Sequence, residues 1–217
     1  MKDIKQLSKE ESILWAAKEE FYENGYDHGI IRNISDRANV PQSLVTYYFK
    51  TKQNLISRIY KDFFNNIEDL IDTYSGLNIT NSLYKKIVLT YIYYDIILND
   101  NKNRRFYMEV RKKISSNYKI LHEASDKIMV KYIDDFNLSM TKFEFEIFMI
   151  MESAARRDFF IYYFEKDLDL TILEIVSILE TVSPKLFGID QDIINSYLLK
   201  GNKIVKEIDY SQLRFLI

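Results

Sequence analysis

Apolar residues recur along this chain at intervals of three and four, and the polar breaks between the periodic stretches are short. This spacing predicts helices from end to end, since a half-buried strand needs strict alternation bounded by turn residues. Residues 1–8 lack an apolar period and are expected to form a loose arm. Ser8-Lys9-Glu10-Glu11 has the Ser-x-x-Glu form of a capping box, which starts a helix that turns Ile13, Ala17 and Phe21 inward and stops at Gly25. Residues 31–38 form a short second helix with Ile31, Ile34 and Ala38 on one side. Asn39 then tolerates a left-handed backbone, and Val40 and Pro41 supply an apolar plug and a residue pre-set for a helical first turn. The third helix, over 42–49, buries Val45 and Phe49 and leaves Gln42, Ser43, Thr46 and Tyr47 on the opposite side.

Thr51 caps a longer helix over residues 52–74, closed by Gly76. Further helices are predicted at about 81–99, 103–117, 119–137, 142–166, 171–187 and 190–207. Two stretches, 83–98 and 143–164, are apolar nearly all round, so each must be covered on every side. Intramolecular neighbours suffice for one, and the other calls for a partner subunit. In the helix over 171–187, Ile172, Ile175, Leu179 and Val182 form a stripe, with Glu174 and Glu180 expected on the solvated side.

The charge is distributed unevenly. Between Tyr26 and Lys61 six cations (Arg32, Arg37, Lys50, Lys52, Arg58 and Lys61) face only Asp27 and Asp36, a local excess of four on a chain of net charge −2. Phosphate contact depends on the contacting surface and not on the overall sum. The row Gln42, Ser43, Thr46 and Tyr47 suits base edges: glutamine pairs with adenine, hydroxyls serve either base-pair type, and a tyrosine ring rests on a thymine methyl.

Ile13, Ala16, Ala17, Phe21, Gly25, Tyr26, Ile34, Ala38, Val40, Tyr47, Phe49, Lys52 and Leu55 stand in the order and spacing of the DNA-binding domain of the TetR family of bacterial transcriptional regulators, which this stretch resembles. The resemblance implies an all-α protein with a helix-turn-helix domain over residues 7–67 (the motif at 30–49) and a helical ligand-binding and dimerisation domain over 68–217. It implies a double-stranded DNA operator as partner, with Gln42, Ser43, Thr46 and Tyr47 facing bases and Arg32, Tyr48 and Lys52 on phosphate. It implies a homodimer through the helices at 142–166 and 171–187, a palindromic operator, and repression relieved by a small hydrophobic inducer. Asn39 replaces the usual turn glycine, Pro41 replaces a capping hydroxyl, Leu44 and Thr46 are atypical, and Glu20 stands where relatives have an apolar residue.

In the C-terminal part, aromatic residues and methionines crowd together, a composition that suits an adaptable apolar pocket. The candidate lining is Tyr91, Tyr94, Asp95, Glu109, Phe148 and Glu152. The competing reading has these carboxylates paired with Arg104, Arg105, Arg111, Arg156 or Arg157.

Composition narrows the field further. With 217 residues, 47% apolar and 29% charged, the chain reads as an ordinary globular protein. It has no cysteine, which rules out disulfides and thiolate metal sites and fits a cytoplasmic location. The longest apolar run, 87–98, is interrupted by Asp95 and too short to span a membrane. An enzyme finds little support: His28 and His122 are isolated, and no phosphate loop or nucleophile motif occurs, so neither a catalytic residue nor a metal nor a cofactor is expected. The third class, a helical adaptor that kept the fold and lost DNA binding, would not need the Gln42, Thr46, Tyr48 and Lys52 set.

Overall fold

A computed structural model describes residues 7–74, 79–113 and 118–217, with 118–126 followed by backbone alone. Residues 1–6 of the expected arm over 1–8, Gly76, Asn117 and the side chain of His122 lie outside the described residues. Ten helices and no strand are present among them: α1 Lys9–His28, α2 Ile31–Arg37, α3 Gln42–Phe49, α4 Lys52–Thr73, α5 Ser82–Leu98, α6 Asn101–Lys113, α7 Tyr118–Asp135, α8 Lys142–Glu165, α9 Ile172–Leu186 and α10 Gln191–Ile204.

The expected start signals operate. Ser8 accepts from the Glu11 amide at 3.2 Å while its own amide donates to the Glu11 carboxylate at 2.8 Å, and Thr51 accepts from the Asn54 amide at 3.1 Å. Gly25 takes φ 74°, so the regular part of α1 ends at Asn24 and a further turn follows at a new angle. Asn39 takes φ 51° and makes the turn between α2 and α3. Lys50, which nothing in the pattern singled out, takes φ 62° at the other end of α3.

The N-terminal unit closes on Ile13, Ala17, Phe21, Ile34, Val45, Phe49, Leu55 and Ile59, all buried. Trp15 is half-buried and packs against this core. Glu20 is fully buried, and it accepts from Asn33 Nδ2 at 2.8 Å and Arg37 Nε at 3.1 Å. A carboxylate in an apolar position is thereby satisfied, and it ties α2 to α1.

Beyond the long α4, helix α5 runs through the middle of the second half, packed on α4, α6, α7, α9 and α10. It is the all-apolar helix that its own chain covers. The other one, α8, is not covered: Phe143, Ile147, Ile150, Met151 and Tyr162 are exposed, beside Leu173, Ile178 and Val182 of α9.

One expectation for α9 is overturned. Glu180 does not face solvent; it is fully buried, and the inward stripe is Ile175, Val176, Leu179 and Ser183 while Val182 points out. Glu180 accepts from Thr90 at 2.9 Å and from Arg156 at 3.0 Å, and lies 3.2 Å from Lys86. Glu152 accepts from Arg156 Nε at 2.8 Å and from Ser183 at 3.0 Å. Two carboxylates and two cations on α5, α8 and α9 compensate one another, which makes burial of all four tolerable.

Candidate nucleic-acid interface

Helix α3 is anchored by Val45 and Phe49, four residues apart on its inner side. Gln42, Ser43, Thr46 and Tyr47 are all exposed on the other, with Tyr47 at 67%. Tyr48 stands beside Tyr47, their rings 5.3 Å apart and edge-on, and the Lys50 ammonium lies 5.4 Å from the Tyr47 ring. The row therefore offers amide and hydroxyl groups in water, with a cation and a phenol at its end.

The positively charged frame is thinner than the sequence count. Arg32 is exposed (77% of its side chain), and its pair with Asp36 at 4.0 Å is a loose surface contact of little energy that a phosphate can displace. Arg37 instead turns back to Glu19, Glu20 and Glu23, and Arg58 pairs with Glu10 and Asp62 at 2.8 Å each. Most of those partners lie on α1, outside the stretch over which the excess was counted. Lys52 is half-buried: its ammonium donates to the Tyr26 carbonyl and sits 4.2 Å from the Tyr26 ring. Burial pulls it below the usual lysine range, opposed chiefly by Asp27. Lys52 thus fastens the start of α4 to the turn after Gly25, one of its three N–H groups being committed there.

The six candidate pocket residues have several different sets of neighbours. Tyr94 and Glu152 meet through Arg156, whose Nη1 lies 3.3 Å from the Tyr94 hydroxyl. Burial alone would lower that guanidinium, and Glu152, followed by Tyr94 and Glu180, holds it well above the usual arginine value. Asp95, four residues from Tyr91, accepts from Tyr210 and Asn99 at 2.9 Å each. Phe148 packs on Phe187, with ring centroids 5.9 Å apart.

Glu109 lies elsewhere, at the seam between the two halves. It accepts from the amides of Tyr26 at 2.6 Å and Asp27 at 3.1 Å, while Arg105, one turn earlier on α6, donates to the carbonyls of Tyr22 at 3.1 Å and Glu23 at 2.8 Å. A cation on the carbonyl end and an anion on the amide end match the polarity of the interrupted helix. Any side chain at residue 25 would also strike Glu109, since a Cβ there would lie 2.4 Å from its carboxylate. Sequence reading missed this clamp because its partners are backbone groups about eighty residues away. On the outer face, Ala155, Phe159, Ile178, Leu179 and Val182 line a groove of about 190 Å³ between α8 and α9.

Among the described residues no cluster of histidine, aspartate and glutamate is arranged to hold a metal, and no helix is long and apolar enough to cross a membrane. An exposed, uncharged row on the second helix of a tight helical pair, joined by a long helix to a helical bundle, is a helix-turn-helix arrangement. Residues 13–59, from α1 into α4, match the model of the family described as bacterial regulatory proteins, tetR family. No curated protein matches it in sequence. Among solved structures, RolR in complex with resorcinol superposes with TM-score 0.58 at 12% identity, covering 88% of this chain and 94% of that one. RolR without ligand gives TM-score 0.55 at 12% identity, covering 90% and 96%. SmeT, the repressor of the Stenotrophomonas maltophilia multidrug efflux pump SmeDEF, gives 0.51 at 13% identity, covering 84% and 91%. At such identities these likenesses speak for the fold.

Proposed function

We propose that the chain is a dimeric repressor that binds a palindromic operator and leaves it when a small hydrophobic molecule binds the C-terminal domain. The observation that carries this reading is the exposure of Gln42, Ser43, Thr46 and Tyr47 above buried Val45 and Phe49. Such a helix presents hydrogen-bonding groups and a ring to the major groove without the cost of desolvating a charge. Arg32, Tyr48 and Lys52 serve as phosphate contacts, Lys52 with the N–H groups that Tyr26 leaves over.

The dimer forms through α8 and α9, whose outer apolar residues have no cover among the described residues. Two-fold pairing sets two α3 helices against half-sites one helical turn or more apart, which requires an inverted repeat. RolR has been crystallised with resorcinol, and a small aromatic compound is the class of inducer that the aromatic C-terminal domain suits. The inducer acts by preferring the conformation that does not fit DNA, because equal affinity for both states shifts nothing.

Selection of bound duplexes from a random pool tests the reading, alongside sedimentation of the free protein. An enriched inverted repeat and a dimeric mass are expected. No enrichment of any sequence at low ionic strength would overturn it.

A further inference from the structure

The segment after α10 has no regular helix, yet Val205, Ile208, Phe215 and Leu216 in it are buried. It crosses back over the bundle. The Tyr74 hydroxyl donates to the Glu207 carbonyl, the Tyr210 hydroxyl donates to Asp95 at 2.9 Å, and Phe215 reaches a position between α4 and α6. There its ring centroid lies 5.0 Å from those of Tyr60 and Phe63 and 5.8 Å from that of Phe106. Ser211, Leu213 and Arg214 make hydrogen bonds inside the segment itself. The seat of Phe215 is therefore a matter of apolar packing and not of a backbone ladder, and a ring held that way can be exchanged for another ring.

The chamber carries a second sign of an absent guest. The Tyr60 hydroxyl is buried and has no hydrogen-bond partner among the described residues. A core shaped for Phe215 alone gains nothing from that oxygen and loses its hydration, since buried polar groups are ordinarily satisfied.

We propose that the chamber formed by Tyr60, Phe63, Tyr93, Phe106 and Tyr107 is the site of a single-ring aromatic ligand bearing a hydroxyl, and that Phe215 occupies it as a built-in competitor. The proposal deepens the ligand-responsive reading above and rests on it only for the effect at DNA. Tyr60 belongs to α4, and Phe106 of α6 stacks on Phe21 of α1 at 5.2 Å, so a guest that expels Phe215 touches both helices that hold the reading head.

The test uses 4-methylphenol, whose ring and methyl group reproduce the phenylalanine side chain and whose hydroxyl offers Tyr60 a partner. It is titrated calorimetrically into the full chain, Phe215→Ala and Phe215→Leu. If the chamber is open less than about a tenth of the time in the parent, Phe215→Ala should bind about tenfold or more tightly, because affinity scales with the competent fraction. Phe215→Leu should gain less, and it covers the case in which alanine prevents folding. In the saturated parent, amide exchange of residues 205–217 should accelerate by about tenfold or more while α5 stays protected. Lack of binding to the parent, binding without faster exchange in that segment, or variants no tighter than the parent would each overturn the proposal. None of these readouts involves DNA. A chain that passes them and still ignores duplex DNA would sink the proposed function and leave this site standing.

Discussion

Helix α3 and the α8–α9 pair each press an apolar stripe into the bundle, Val45 and Phe49 in one case and Met149, Phe160, Ile175 and Leu179 in the other, and each shows a second row to solvent. On α3 that row is Gln42, Ser43, Thr46 and Tyr47. On α8 and α9 it is Phe143, Ile147, Met151, Ile178 and Val182, with Phe143 72% exposed. The polar row is at ease in water and can wait for a groove. The apolar row forgoes roughly 25 cal/mol for every Å² left wet, so it favours a second copy of the same surface. Glu20 of α1 holds α2, the helix that precedes α3, and Glu152 and Glu180 tie α8 and α9 to each other and to α5. On the proposed reading the same local device serves two recognition chemistries, and the outward side chains decide which.

The strongest way to break this comparison is to charge the apolar row. Ile178→Asp combined with Val182→Asp should turn a dimer into a monomer in sedimentation. It should also weaken a selected operator by about 10²–10⁴-fold, because the second half-site is no longer tethered. A dimer that survives both changes would mean that this face is not the interface. Next in size is Arg156→Ala, which leaves Glu152 and Glu180 short of a cation and should cost about 3–5 kcal/mol of stability in urea unfolding. On the polar row the effects are smaller and of a different kind. Gln42→Ala should lose about 1–3 kcal/mol of discrimination at one base pair and little elsewhere, read by competition among operator variants. Arg32→Ala should weaken all sequences alike and lower the salt slope by about 1.

The smallest effect separates the two regions by pH. Helix α8 starts from Thr141, whose backbone amide and then hydroxyl hydrogen-bond Glu144, and α9 starts from Thr171, whose hydroxyl and then amide hydrogen-bond Glu174. Both carboxyls are held below the usual range. A depressed carboxyl contributes stability that is present above the ordinary carboxylate range and lost as pH falls through its folded value. Acid should therefore loosen the starts of α8 and α9 first, while α3, preceded by Pro41 with no side-chain cap, has nothing comparable to lose. Carboxyl NMR shifts of Glu144 and Glu174 against pH would check this.

The helices were legible because a period of three and four, a Ser-x-x-Glu box, a threonine cap and residues that accept positive φ act within a few residues of one another. Ser8, Gly25, Asn39 and Thr51 play in the structure the parts their positions imply. The row on α3 was legible for the same reason, since Val45 and Phe49 leave only one side to face out. Elsewhere local reading failed. Glu180 was assigned to solvent because its own helix has an apolar stripe beside it, but Lys86, Thr90 and Arg156 arrive from two other helices to hold it inside. The count of positive charge was too generous because the partners of Arg37 and Arg58, Glu19, Glu20, Glu23 and Glu10 on α1 and Asp62 further along α4, lie outside the stretch counted. The proposed pocket residues scattered because a cluster of aromatics in sequence does not say which of them share a space.

By itself, then, the sequence determined that these stretches are helical, where several of them are capped, and which side of α3 is apolar, since backbone hydrogen bonding and side-chain period are local properties. Only the tertiary structure decided which sides meet: that α5 is covered and α8 is not, that Glu109 and Arg105 grip the break at Gly25, and that Phe215 comes back to fill the space beside Tyr60. Those choices depend on packing and charge compensation between residues tens to more than a hundred positions apart, and no local pattern encodes such pairings.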